Sequence, residues 1–215
     1  MNTKLSRNLI RTPLHPAVLT AGLLLTTALT ISPGCSNAYT VDRRLIEQRE
    51  RDEQRSLQIS AQAERDLAES ELLEAQEKYE QALALDRRQY STWNNLGVVR
   101  LKLKNRQGAI EAFRQAAELN QRDPRPVTNI GLAYQEAGWD EYALEAFAEA
   151  LERDENWLDA IRGSVVSSRR LYRYDDQALE VVTRGLLIER NPDWRNVFER
   201  EEIRIENALS EHAKR

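Results

Sequence analysis

Side chains that do covalent, acid–base or metal chemistry are scarce in this 215-residue chain. It holds one Cys, Cys35, and two His, His15 and His212, nearly 200 positions apart. One thiol cannot close an intrachain disulfide, nor build a zinc or iron–sulfur site alone. No GxSxG, HExxH or glycine-rich phosphate loop occurs. Carboxylates are plentiful, but no pattern singles out a pair, so no catalytic residue, metal ligand or cofactor is expected. The spacing that does suggest chemistry belongs to carboxamides. Asn95 and Asn129 stand 34 residues apart, each just before an apolar–Gly pair, Leu96-Gly97 and Ile130-Gly131. An amide both donates and accepts hydrogen bonds, which matches the main chain of an extended peptide. Asn94 and Arg125 complete the candidate binding set. The plainer role for these amides is to tie neighbouring helices together.

The elements that must position these amides follow from the same period. Residues 90–123 carry Trp93, Leu96, Gly97, then Ala109, Phe113 and Ala116; residues 124–157 carry Ile130, Gly131, Tyr134, then Ala143, Phe147 and Ala150. The equivalent residues are 34 apart without a gap. Upstream, Ala75, Tyr79 and Ala82 repeat the second half of the pattern at the same spacing. Downstream, Ala178, Val182 and Gly185 repeat it at 35, so one residue is inserted. A fixed period of this length marks stacked units that cannot bury their apolar faces singly.

The pattern is similar to the tetratricopeptide repeat, a helix–turn–helix unit of 34 residues. Arg100 departs from it, standing where Tyr134 keeps the usual aromatic. The resemblance implies an all-α fold: a right-handed α-solenoid of about four helix pairs, with a C-terminal cap helix and an extended N-terminal helix or tether. The domain would span 61–192, with repeats near 56–89, 90–123, 124–157 and 158–192. Residues 193–215, with Trp194, Val197, Phe198, Ile205 and Leu209 on one face, would cap it. The Asn pair is similar to the asparagine ladder of the repeats in O-linked N-acetylglucosamine transferase, which implies a peptide lying in the concave groove. The carboxylate clamp of chaperone-binding members is incomplete. Asn95 and Arg125 fit two of its places, but Ser60 and Glu64 stand where Lys and Asn belong.

Residues 1–34 read as an address. Lys4, Arg7 and Arg11 precede an uncharged run from Ala17 to Ile31, too short to span a bilayer. The segment ending Pro33-Gly34-Cys35 resembles the lipobox of bacterial lipoproteins, although Pro33 departs from it. The resemblance implies cleavage before Cys35, a lipid on its sulfur and residence in the bacterial envelope, at the outer membrane facing the periplasm. Residues 35–60 would then form a charged tether. Removing residues 1–34 with their three basic side chains takes the net charge from −4 to −7, a poor match for nucleic acid.

Composition agrees with a helical, water-facing chain: 31% charged, 7% aromatic, mean hydropathy −0.66. It excludes long β-sandwiches and collagen-like sequences. Two further clusters stand out, Arg162, Arg169, Arg170 and Arg173 among Tyr172 and Tyr174, and the pair Trp139 and Tyr142. The expected function is a lipid-anchored adaptor for a protein or peptide partner, touching the membrane only through its anchor. The alternative is a spacer that self-associates through residues 42–86. The sequence leaves oligomeric state and partner identity open.

Overall fold

The computed structural model describes residues 43–214, so the expected signal segment and Cys35 lie outside the described residues. These residues form nine helices and no strand. They are α1 (Arg43–Glu69), α2 (Leu72–Leu85), α3 (Tyr90–Lys102), α4 (Arg106–Leu119), α5 (Arg125–Glu136), α6 (Asp140–Arg153), α7 (Leu158–Arg170), α8 (Asp176–Ile188) and α9 (Pro192–His212). Consecutive helices pair as α1/α2, α3/α4, α5/α6 and α7/α8, and α9 packs on α8 and α7. The backbones of the first helices, α1, α3, α5 and α7, also approach one another in a row, whereas those of α2, α4, α6 and α8 stand further apart. The all-α fold of stacked pairs expected from the repeat is the fold observed.

Glycine and phenylalanine set the packing distance. A Cβ on Gly97 would come within 2.5 Å of the Phe113 ring, and one on Gly131 within 2.5 Å of Phe147. The second helix of each central pair therefore drives a ring into a space that only a bare backbone leaves free. Phe147 is gripped from its other neighbour too, because a Cβ on Gly163 of α7 would run into its ring. Ala109, Ala116, Ala143 and Ala150 are completely buried beside these rings. Each buried Phe contributes about 1.5–3 kcal/mol relative to exposure.

The turn inside every pair repeats as strictly as the core. Ser70, Lys104, Gly138 and Tyr172, each 34 residues after the last, all have positive φ, between 54° and 76°. The residue after each one donates its N–H to a carbonyl five positions back: Glu71 to Asp66, Asn105 to Arg100, Trp139 to Tyr134 and Arg173 to Ser168. This satisfies carbonyls that the ending helix leaves free. After Tyr172 the fourth turn departs: its N-cap is Asp175, which accepts from Ala178 N–H at 2.9 Å, whereas Asn105 caps α4 directly after Lys104. The residue inserted in the 35-residue spacing therefore falls in Arg173–Tyr174.

A second repeating device closes each pair onto the next. Asp86, Asn120, Asp154 and Glu189 follow the ends of α2, α4, α6 and α8, and each side chain accepts from the backbone N–H two residues on, at 2.8–3.2 Å. At three of these junctions a carboxylate also grips an Arg. Asp86 binds Arg88, Asp123 binds Arg125, and at the fourth junction Glu189 binds Arg162.

The charged segment 42–58 is helical from Arg43 onward. Up to Arg55 it is exposed, apart from half-buried Asp52. Ser56 and Ser60 then turn inward: Ser56 Oγ donates to Ala82 O at 2.6 Å, and Ser60 Oγ lies 2.9 Å from Thr92 Oγ1.

Candidate functional site

The candidate amides lie on the row of first helices, and the fold brings them together. Asn129 on α5 donates from Nδ2 to Asn94 Oδ1 on α3 at 2.9 Å. Asn94 Nδ2 lies 3.5 Å from Asn95 Oδ1, and Asn95 Nδ2 donates to Glu64 Oε1 on α1 at 3.3 Å. Four side chains thus form one polar file across three helices. The lateral bonds realise the helix-tying role, and they use only part of each amide. A carboxamide carries two N–H donors and an oxygen with two lone pairs. All three Asn remain partly exposed, so donors and acceptors are left over for a main chain laid along the row.

Beneath Asn95 lies the Tyr79 ring, wholly buried, with its hydroxyl next to the Asn95 side chain. Burial, reinforced by the charges of Glu64 and Asp66, pushes its phenol well above the ordinary value. The hydroxyl therefore stays neutral at every physiological pH.

Arg125 reaches the same surface but is engaged. Its Nε and Nη2 bind both oxygens of Asp123 at 2.6–3.0 Å. Burial opposes ionisation of Asp123, yet these hydrogen bonds outweigh it and hold the carboxyl below its ordinary value. Asp86 is likewise held low, chiefly by hydrogen bonds from Arg88. Of the other clamp positions, Ser60 is buried and shares a hydrogen bond with Thr92, and Glu64 carries a negative charge. The arrangement presents an acceptor where a terminal carboxylate would need a cation.

The packing candidates are placed as follows. Leu96, Gly97, Ala109, Phe113, Ala116, Gly131, Ala143, Phe147 and Ala150 are buried. Trp93 and Tyr134 are half-buried against the first and central clusters. Trp93 Nε1 donates to Arg87 O at 2.8 Å. The departure at Arg100 has a structural answer. Arg100 Nη2 binds Glu80 on α2 at 3.0 Å, while one repeat later Tyr134 OH accepts from Arg114 on α4 at 3.2 Å. Residues 80 and 114 are themselves equivalent, so an ion pair and a phenol hydrogen bond exchange at one seam.

The arginine cluster is neutralised within the fold. Arg162 makes two hydrogen bonds to Glu189 at 2.8 and 3.0 Å and lies 5.3 Å from the Trp194 ring centroid. Arg170 pairs with Asp140, Arg169 with Glu201 and Arg173 with Asp175. Trp139 and Tyr142 both flank Tyr134, with ring centroids 6.0 and 5.6 Å from it, and remain about half exposed. Among the described residues, no group of His, Cys, Asp and Glu could hold a metal ion, and no helix is long and apolar enough to cross a membrane.

Sequence reasoning passed over the junction residues Asp86, Asn120, Asp154 and Glu189, although their 34- and 35-residue spacing carried the signal. It also passed over Asp123 as the partner of Arg125, two residues away.

Comparison with known proteins agrees with this geometry. A family model described as tetratricopeptide repeat matches residues 90–123. The solved structure of MamA is similar with a TM-score of 0.54 at 15% identity, over 71% of this chain and 97% of that one. YrrB, described as a TPR protein with an unusual peptide-binding site, gives a TM-score of 0.54 at 22% identity, over 64% of this chain and 71% of that one. The first TPR of Spaghetti (RPAP3), solved with an HSP90 peptide, gives 0.53 at 19% identity, over 55% of this chain and 94% of that one. No curated protein matches the chain. Residues 90–123 thus match one tetratricopeptide repeat, and the fold shared with these structures is a solenoid of stacked helix pairs.

Proposed function

We infer that this chain is a non-enzymatic adaptor that holds an extended peptide segment of a partner protein along α1, α3, α5 and α7. The observation that carries the reading is the file Glu64, Asn95, Asn94 and Asn129, whose amides cross three helices with hydrogen-bonding capacity left over. The peptide-bound state of a structural neighbour supports a protein-binding role of this general kind. The engaged Arg125 and the acidic Glu64 favour main-chain recognition over capture of a terminal carboxylate. The segment ending at Cys35 motivates the second half of the reading: the adaptor is tethered by lipid in the bacterial envelope, and the exposed start of α1 holds the repeats away from the bilayer. An anchor of two or more acyl chains makes such attachment stable.

The test is capture of envelope proteins by the full chain, wild type beside Asn95→Ala/Asn129→Ala, read by mass spectrometry, with circular dichroism on both. Loss of a discrete set of partners at unchanged helicity is the expected outcome. Retained capture would refute the amide row. Separately, Cys35→Ser is expected to move the protein from the membrane to the soluble fraction, and continued membrane association would contradict the tether.

A further inference from the structure

We propose that the groove between α6 and α8, on the side away from the amide row, is a second docking site, and that it takes a basic amphipathic helix from a partner protein. The backbones of α6 and α8 stand apart, and a cleft of about 1020 Å³ opens between them. Its apolar lining comes from Leu144, Ala148 and Leu151 of α6 and Val181 of α8, all of them only partly covered.

Charge decides the occupant. Glu141, Glu145, Glu152 and Glu155 rim the cleft and have no ion-pair partner among the described residues. The rim cations are already engaged: Arg153 with Glu149, Arg184 with Glu180 and Arg173 with Asp175. The groove therefore offers an apolar strip beside unpaired negative charge, which fits a helix with an apolar face and flanking Lys or Arg. Glu141, Glu145 and Glu152 lie 4 and 7 positions apart along α6, on one face. At 1.5 Å per residue they span roughly 16 Å, about three turns of a docked helix. The one-residue insertion at Arg173–Tyr174 belongs to the turn that forms one end of this cleft, so the break in the 34-residue period coincides with the groove.

The test uses the full chain and a fluorescent 18-residue Leu/Lys peptide designed as an amphipathic helix, read by anisotropy. Two control peptides carry the same composition in scrambled order, and Glu in place of every Lys. Saturable binding of the amphipathic basic peptide is expected, with the scrambled peptide at least about tenfold weaker and the acidic peptide silent. Glu145→Lys/Glu152→Lys, both at exposed positions, is expected to weaken the basic peptide about tenfold and to gain binding of the acidic one. Asn95→Ala/Asn129→Ala should leave it unchanged, which separates this groove from the amide row. The proposal is overturned by equal binding of the amphipathic and scrambled peptides, by indifference to the charge reversal, by dependence on the Asn pair, or by self-association of the chain that blocks the peptide.

Discussion

The central pairs and the fourth pair solve one packing problem differently. In α3/α4 and α5/α6, the ring that seals the pair, Phe113 or Phe147, comes from within the pair and lies on its own glycine. In α7/α8 both members of this contact change: Val182 stands in the place of the ring and Val165 in the place of the glycine, and both are buried in one cluster. An aromatic ring reaches this pair from outside and at another place: Phe198 of α9 lies over Gly185, which stands where Ala116 and Ala150 stand in the central pairs, and a Cβ there would meet the ring at 2.6 Å. Trp194 packs near Phe198, with ring centroids 6.0 Å apart, and covers Arg162. The cap is thus a donated core residue, besides being a solvating surface. Polar groups accompany the change: Arg162–Glu189 ties α7 to the end of α8 and Arg169–Glu201 ties α7 to α9, where the central pairs rely on Phe and Ala. The fourth pair therefore takes from the helix that follows it an aromatic ring that the central pairs carry themselves.

The largest effect expected from this contrast is Phe147→Ala. The ring is gripped by Gly131 and Gly163, so its loss opens a cavity across two pairs, at a cost of about 3–5 kcal/mol. Urea denaturation should show a single destabilised transition, and a loss under about 1 kcal/mol would mean the pairs collapse onto the gap. Phe198→Ala removes an equally buried ring but sits at the end. Hydrogen exchange should therefore rise in α8 and α9 while α3 to α6 keep their protection, giving a smaller global loss, about 2–3 kcal/mol. Uniform loss of protection would erase the distinction between owned and borrowed rings.

The smallest expected effect is on pH dependence, and it separates the junctions before the central pairs from the rest. Asp86 and Asp123 have lowered folded-state pKa values. Their stabilisation is present above the ordinary carboxylate pKa, about 4, and is lost as pH falls through the folded value. The wild-type Tm should be level from pH 7 to 5 and fall below about pH 4, and Asp123→Asn should flatten part of that fall. An identical acid limb in both proteins would show that Asp123 does not contribute.

Much of this was readable from particular residues. The 34-residue recurrence of Gly, Ala and Phe fixed the pairs, and Val197, Phe198, Ile205 and Leu209 marked α9 by helical spacing. The candidate amides were visible as types and spacing. Their lateral bonding was not, because Asn94 meets Asn129, 35 residues away, only after α3 and α5 stack. Arg125 could be read as a free cation until Asp123 was seen to hold it.

Periodicity is a local property, written in which residues are small, apolar or large, and so the sequence alone determined helices, pairs and their order. Which partner each polar side chain takes depends on distances between helices. Those distances follow from how deeply a ring sinks onto a glycine. Only the tertiary structure decided that Arg162 answers Glu189, that Asn95 leans on Glu64, that Phe198 completes a repeat it does not belong to, and that a cleft opens between α6 and α8.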